Sequence, residues 1–172
     1  MDGNQLDRFL RQDVHASRYF RGVFAADTLP NTVTSKPAFF IVNSDPMSKP
    51  GTHWLAISVD ACGHGEYFDS YGVKPFVATH KRFLSRVCKT WTYNHIDLQA
   101  LNSSVCGHYC VMYILFKTHG FSLQDFLNCF SKNCVKNDIL VEKMFMRYSQ
   151  NVKMCDDVKT KHTQSCSKRC SK

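Results

Sequence analysis

Residues 101–116, LNSSVCGHYCVMYILF, open polar and small and then stay apolar for the length of a helix. That change predicts a helix from about Cys106 to His119, stopped near Gly120, because glycine readily takes the conformation that ends helices. A helix this apolar needs a core to receive it. The chain's 172 residues are enough for one domain with such a core and cramped for two. The longest apolar run, Val111 to Phe116, falls far short of the ~20 residues that a membrane-crossing helix needs. The N-terminus, MDGNQLDRFLRQ, carries charges where a secretion signal would be apolar. The chain is therefore expected to be soluble, unsecreted, monomeric and without a membrane partner.

That compartment decides how the cysteines are read. Nine is an odd number, and without a secretion signal a disulfide framework is not expected. Most should be reduced thiols, which usually pack as small apolar groups. The segment 155–172, CDDVKTKHTQSCSKRCSK, is polar, basic and aperiodic, and is expected to be a disordered tail after a domain spanning 1–154. Cys155, His162, Cys166 and Cys170 could nominally ligate zinc, but their spacing matches no common zinc module, so no metal is expected. Lys and Arg number 22 against 14 Asp and Glu, a net charge of +8 that favours polyanions. No motif reads bases, so any DNA would be held through phosphates without sequence preference. A basic protein with no polyanion partner fits the charge equally well.

Along the chain, Asn4 or Asp2 could cap a first helix with Leu6, Phe9, Leu10 and Val14 on one face. Residues 17–31 read as an ordered loop, broken by Gly22 and Pro30. AFFIVN, 38–43, is an unbroken apolar run suited to a strand covered on both faces. HWLAISVD, 53–60, alternates as a half-buried strand would, and EYFDSYG forms another short strand ending at Gly72. Pro75 opens a helix to about Cys88, with Phe76, Phe83, Leu84 and Val87 inward. WTYNHIDL reads as a strand, and Ser122 and Asn137 as caps of two last helices, about 123–130 and 138–149. A helix, a strand group and then mostly helices make an α+β domain.

A thiol attacks only as thiolate, and the first turn of a helix lowers its pKa because unpaired N–H groups there favour an anion. Cys106 holds that position, and Gly107 beside it leaves room for a substrate backbone. Cys110, one turn on among apolar residues, should be buried and inert. A nucleophile needs a base and the base an orienting group. His53 opens one strand and Asp69 closes the next, so adjacent strand ends could pair imidazole with carboxylate. An oxyanion needs donors. The Cys106 N–H is one, and the Gln99 side chain could be the second.

The ordered blocks GTHW, YFDSYG and Q-x6-C-G-x-x-C resemble the adenovirus-type (adenain-like) cysteine proteases, in the clan that also holds the SUMO-specific proteases. YFRGVFAADTLP, AFFIVNS, PGTHWLAI and NSSVCGHYCVMYILF look like successive blocks of the adenoviral enzyme, so the likeness covers roughly Ser17 to Phe116. It implies His53 as general base, Cys106 as nucleophile, Asp69 as orienting acid (often Glu in adenoviral members) and Gln99 as oxyanion donor. It also implies a papain-like architecture with permuted order: a central mixed sheet flanked by helices. The implied function is an endopeptidase that matures precursor proteins of a virus or virus-like element, in the virion and host nucleus, cutting after small residues such as glycine. The family is activated by DNA and by a viral peptide. Cys88, eighteen residues before Cys106, is similar in place to the cysteine that can form a disulfide with that peptide, and a buried thiol at a helix end is the alternative for it. The resemblance fades beyond Phe116. Rival readings are a protease releasing a ubiquitin-like modifier, an acyl transferase keeping the same triad, and a DNA-binding core protein with a relict triad.

Overall fold

The computed structural model of the chain describes the backbone of residues 1–167 and the side chains of residues 1–150. Among the described residues six helices and five strands follow in chain order: α1 (Gly3–Gln12), α2 (Ala16–Tyr19), β1 (Phe20–Phe24), β2 (Ala38–Asn43), β3 (Trp54–Val59), β4 (His64–Phe68), α3 (Ala78–Val87), β5 (Thr90–Tyr93), α4 (Cys106–Thr118), α5 (Leu123–Leu127) and α6 (Cys134–Ser167). The strands form one sheet in sequential order. The central pairs, β2 with β3 and β3 with β4, are antiparallel, and the outer pairs are parallel. The sheet is mixed and flanked by helices, the α+β, papain-like architecture with permuted order that the resemblance implies.

Period-two alternation sends the side chains of β2 and β3 to two separate cores. Phe39, Ile41 and Ala56 join Leu6 and Leu10 of α1 and the buried side chains of α4 on one face. Phe40, Val42, Leu55, Ile57 and Val59 meet Phe83, Leu84 and Val87 of α3 on the other. Each fully buried Leu, Ile, Val or Phe contributes about 1.5–3 kcal/mol, so the two cores together dominate stability. Helix α4 is the centrepiece: nine of its thirteen residues are buried. Small residues on β3, Ala56 and Ser58, let it approach, and the Ser58 hydroxyl meets Tyr113 Oη at 2.9 Å. Tyr113 in turn donates to Glu66 at 2.6 Å, which also pairs with Lys117 at 3.0 Å.

Several expectations need correction. The segment read as a loop contains the edge strand β1, hidden from the sequence by Gly22 and Arg21 at its middle. Strand β3 is covered on both faces rather than half-buried, because α4 packs on its small-residue side. Asp2, not Asn4, caps α1, exchanging hydrogen bonds with Gln5 at 2.9 Å each way. Val14 lies past the end of α1 and is exposed. Helix α3 begins at Ala78 rather than Pro75, which leaves Phe76 outside it and exposed. Strand β5 ends at Tyr93, because Asn94 turns inward to hold another segment. Ser122 caps α5 through a reciprocal box with Asp125. Asn137 does not cap α6, which starts at Cys134; instead it ties Ser131 and Leu98 to that helix. The tail expected over 155–172, with its nominal zinc ligands, lies outside the residues whose side chains are described. Among the described residues no helix is long and apolar enough to cross a membrane.

Candidate active site

Strand ends and a helix start converge on one spot. His53 immediately precedes β3 and Asp69 immediately follows β4, its antiparallel neighbour, so the two side chains leave the same sheet edge. His53 Nε2 donates to Asp69 Oδ1 at 2.8 Å. Cys106 begins α4, and its sulfur interacts with the His53 side chain and with the backbone N–H groups of Trp54 and Gly107. Since Nε2 is committed to Asp69, Nδ1 is the ring nitrogen left for the sulfur.

The electrostatics follow from that geometry. Burial alone would lower the His53 pKa, but hydrogen bonds to Asp69 and Cys106 and the charges they carry raise it to about 9. Burial likewise opposes ionisation of Cys106, yet the imidazolium and the two N–H groups overcome it and hold the thiol below its ordinary pKa. Each partner thus favours the charged form of the other. Cys110 contrasts with it: fully buried with no compensating partner, its thiol is pushed well up by burial and then by Cys106.

Asp69 is itself held from several sides and is 1% exposed. Its Oδ1 also accepts the Tyr71 N–H at 2.9 Å. Its backbone is clamped by Asn94, whose Oδ1 accepts the Asp69 N–H at 2.9 Å while its Nδ2 donates to the Asp69 carbonyl at 2.6 Å. The Tyr71 ring lies over His53, with centroids 4.9 Å apart, and its phenol is pushed up by burial and then by the neighbouring Cys106. Gln99 is 1% exposed. The Ser70 hydroxyl donates to its Oε1 at 2.6 Å, which turns Nε2 toward the carbonyl and hydroxyl of Ser103, each at 3.0 Å. The amide is thus aimed along the 99–105 loop that leads to Cys106.

His53, Asp69 and Cys106 come together, then, and Gln99 sits buried at the start of the loop before the cysteine. The space beside Gly107 differs from expectation: a Cβ there would lie 3.2 Å from Leu6 and 3.5 Å from Met1 and Trp54, so the chain's own N-terminal residues fill it. Cys88, at the end of α3, is half-buried, and its sulfur packs so closely on Gly65 that an added Cβ would stand 2.5 Å away. Burial pushes that thiol up. Tyr71, Asn94 and Ser70 were not singled out from the sequence. The one available signal was their nearness in sequence to Asp69, which Tyr71 and Ser70 share and Asn94 lacks. Among the described residues no three His, Cys, Asp or Glu side chains gather as a metal site would require.

The fold is that of a solved structure, the Chlamydia trachomatis effector protein Cdu1 bound to ubiquitin, with a TM-score of 0.50 and 18% identity over 68% of this chain and 62% of that one. The ASFV pS273R protease matches at 26% identity and a TM-score of 0.44 over 58% of this chain, and the SUMO protease Ulp1 at 14% and 0.43 over 82%. The chain spans 41% of the ASFV protease and 75% of Ulp1. No family model and no curated protein matches it in sequence.

Proposed function

We propose that the chain is a cysteine endopeptidase of the adenain-like kind that cleaves precursor proteins of a virus or virus-like element after small residues such as glycine. The observation that carries this reading is the imidazole of His53, placed between the Asp69 carboxylate and the Cys106 sulfur at the first turn of α4. The Cys106 thiolate attacks the substrate carbonyl, and the negative oxygen that forms is received by the Cys106 N–H and the Gln99 amide, one of whose hydrogens turns from Ser103 to do so. His53 then gives its proton to the departing amine, leaving a thioester on Cys106. Water deprotonated by His53 hydrolyses that thioester and restores the ion pair. Asp69 keeps the ring oriented and stabilises its charge throughout, and the Tyr71 ring screens the pair from water.

DNA and an activating peptide, the latter joined through Cys88, would be accessory cofactors of this reading. The net positive charge supports the first, and the position of Cys88 upstream of Cys106 the second. Activity in the presence of duplex DNA should then fall steeply with salt, by counterion release, and a salt-independent rate removes DNA from the scheme. The chemistry is tested by intact mass and peptide mapping after iodoacetamide treatment at pH 6, where an ordinary thiol of pKa near 8.5 is almost wholly protonated. Fast single labelling at Cys106 that disappears in His53→Ala supports the reading. Slow labelling scattered over the exposed cysteines, unchanged by DNA and by an activating peptide, refutes it.

A further inference from the structure

Trp54 links the reactive centre to a neighbouring cavity. Its indole Cδ1 stands 3.5 Å from where a Cβ of Gly107 would be, beside Cys106, and its Cη2 stands 3.4 Å from the corresponding point at Gly3. Trp54 Nε1 donates to the Met1 carbonyl at 3.1 Å, which fixes the plane of the ring. Beyond the ring opens a cavity of about 390 Å³ between the first turn of α1 and the loop joining β2 to β3, a size suited to part of a peptide. On a molecule of net charge +8, this cavity carries three carboxylates, Asp2, Asp7 and Asp45, against one ammonium, Lys49. Asp45 accepts from the Thr52 hydroxyl at 2.8 Å and has Lys49 only at 3.9 Å, with that lysine 64% exposed. Asp7 shares its charge with Arg11 at 2.8 Å.

A second, independent feature points to a ligand. Asn43 lines the same cavity and is only 4% exposed. Its Oδ1 accepts the Asp45 N–H at 2.9 Å, while its Nδ2 has no hydrogen-bond partner among the described residues. Gly51, at φ +86°, lies against it where any side chain would collide with Nδ2 at 2.8 Å, so the approach to that donor is kept clear. The Nδ2 atom is not sealed from solvent, so it can donate to a peptide carbonyl entering the cavity that Asn43 lines.

We propose that the cavity past Trp54 is a substrate subsite that takes a lysine or arginine side chain, with Asn43 Nδ2 donating to the peptide carbonyl beside it. The proposal rests on the reading of Cys106 as a nucleophile toward peptides and adds a charge preference to the small-residue preference at the scissile bond. Asp45, beside Asn43, and Asp7, across the cavity, set that preference.

The test uses peptide pairs identical except for Lys or Glu at one position, scanned through every position around a glycine-containing cleavage site. At one position Lys should exceed Glu by about tenfold in kcat/KM, and the ratio should fall toward about threefold in Asp45→Asn, as expected for removing one partly exposed charge. Asp60→Asn, on the distant turn between β3 and β4, should leave the ratio as it is. The same pairs, fluorescently labelled, are titrated onto Cys106→Ala protein and followed by polarisation, which reads binding without turnover. A Lys preference in binding that weakens with salt and in Asp45→Asn supports the subsite, and it does so even if no peptide is cleaved, in which case the endopeptidase reading alone falls. Equal binding of Lys and Glu peptides at every position, or a preference untouched by Asp45→Asn and Asp7→Asn, overturns the proposal.

Discussion

His80 offers a stability test that reaches the proposed subsite from behind. The ring is fully buried on α3, and its Nε2 donates to the Asn43 carbonyl at 3.1 Å. A carbonyl only accepts, so Nε2 carries the hydrogen and Nδ1, facing the Tyr67 hydroxyl at 3.4 Å, is bare. Burial, only partly offset by the Asn43 bond, holds the pKa down to about 4 from 6.5. The unfolded chain therefore takes up a proton as pH falls below 6.5, while the folded chain refuses it until about 4. The unfolded state binds more protons in that window, so stability is full above 6.5 and is lost as pH falls. Between pH 7 and pH 5 the linkage amounts to about 2 kcal/mol. His53 works in the opposite sense. Raised to about 9, it adds stability that is complete below 6.5 and fades as pH climbs toward 9. The comparison must therefore be made against His80→Gln, which keeps a donor for Asn43 and cannot titrate. Urea unfolding of both proteins at pH 7 and pH 5 should show the wild type losing about 2 kcal/mol more than the variant. Equal losses would mean that His80 is accessible to protons, and would refute the argument from burial.

Cys106→Ala should abolish turnover, while Cys110→Ala should retain most of it and lose about 1–2 kcal/mol of stability from the small void it leaves; the reverse pattern in a peptidase assay reassigns the nucleophile. Because the bonds to Asp69 help hold His53 near 9, hydrolysis should decline only as pH approaches that value. Asp69→Asn should shift the declining limb of the pH–rate profile toward neutrality, and an unmoved limb separates Asp69 from the imidazole. Gln99→Ala should lower kcat by about 10²–10³ with little change in KM, the usual cost of one oxyanion donor; a change confined to KM would assign Gln99 to substrate binding instead.

How far the sequence shows this molecule varies element by element. AFFIVN matches β2 residue for residue, because a strand buried on both faces advertises itself as an unbroken apolar run. The same burial is disguised in β3, where the helix-facing side is built from Ala56 and Ser58, small residues that read as solvent-facing until α4 is laid on them. The start of α4 was visible from the polar-to-apolar switch. Pro75 misled because a residue fit for a first turn need not be in one. At the site, His53, Asp69 and Cys106 are legible because each sits at a boundary between a turn and a regular element. Asn94 and Ser70 act on partners 25 and 29 residues away, through two hydrogen bonds and one, and no periodicity records such bonds. Tyr71 contributes a ring face and a main-chain N–H, neither of which has a spacing signature.

Residues 94 to 106 carry the clamp on Asp69, the amide of Gln99 and the nucleophile itself on one unbroken stretch, whereas His53 and Asp69 arrive on separate strands. Length along that stretch is therefore a shared ruler. Adding or deleting one residue there would displace several reactive parts at once, and no repacking elsewhere could restore them independently. Residues 28–36, within the connection between β1 and β2, hold no such parts. Natural length variation and engineered insertions should concentrate there, and a chain cut in that connection should reassemble more readily than one cut between Asn94 and Cys106.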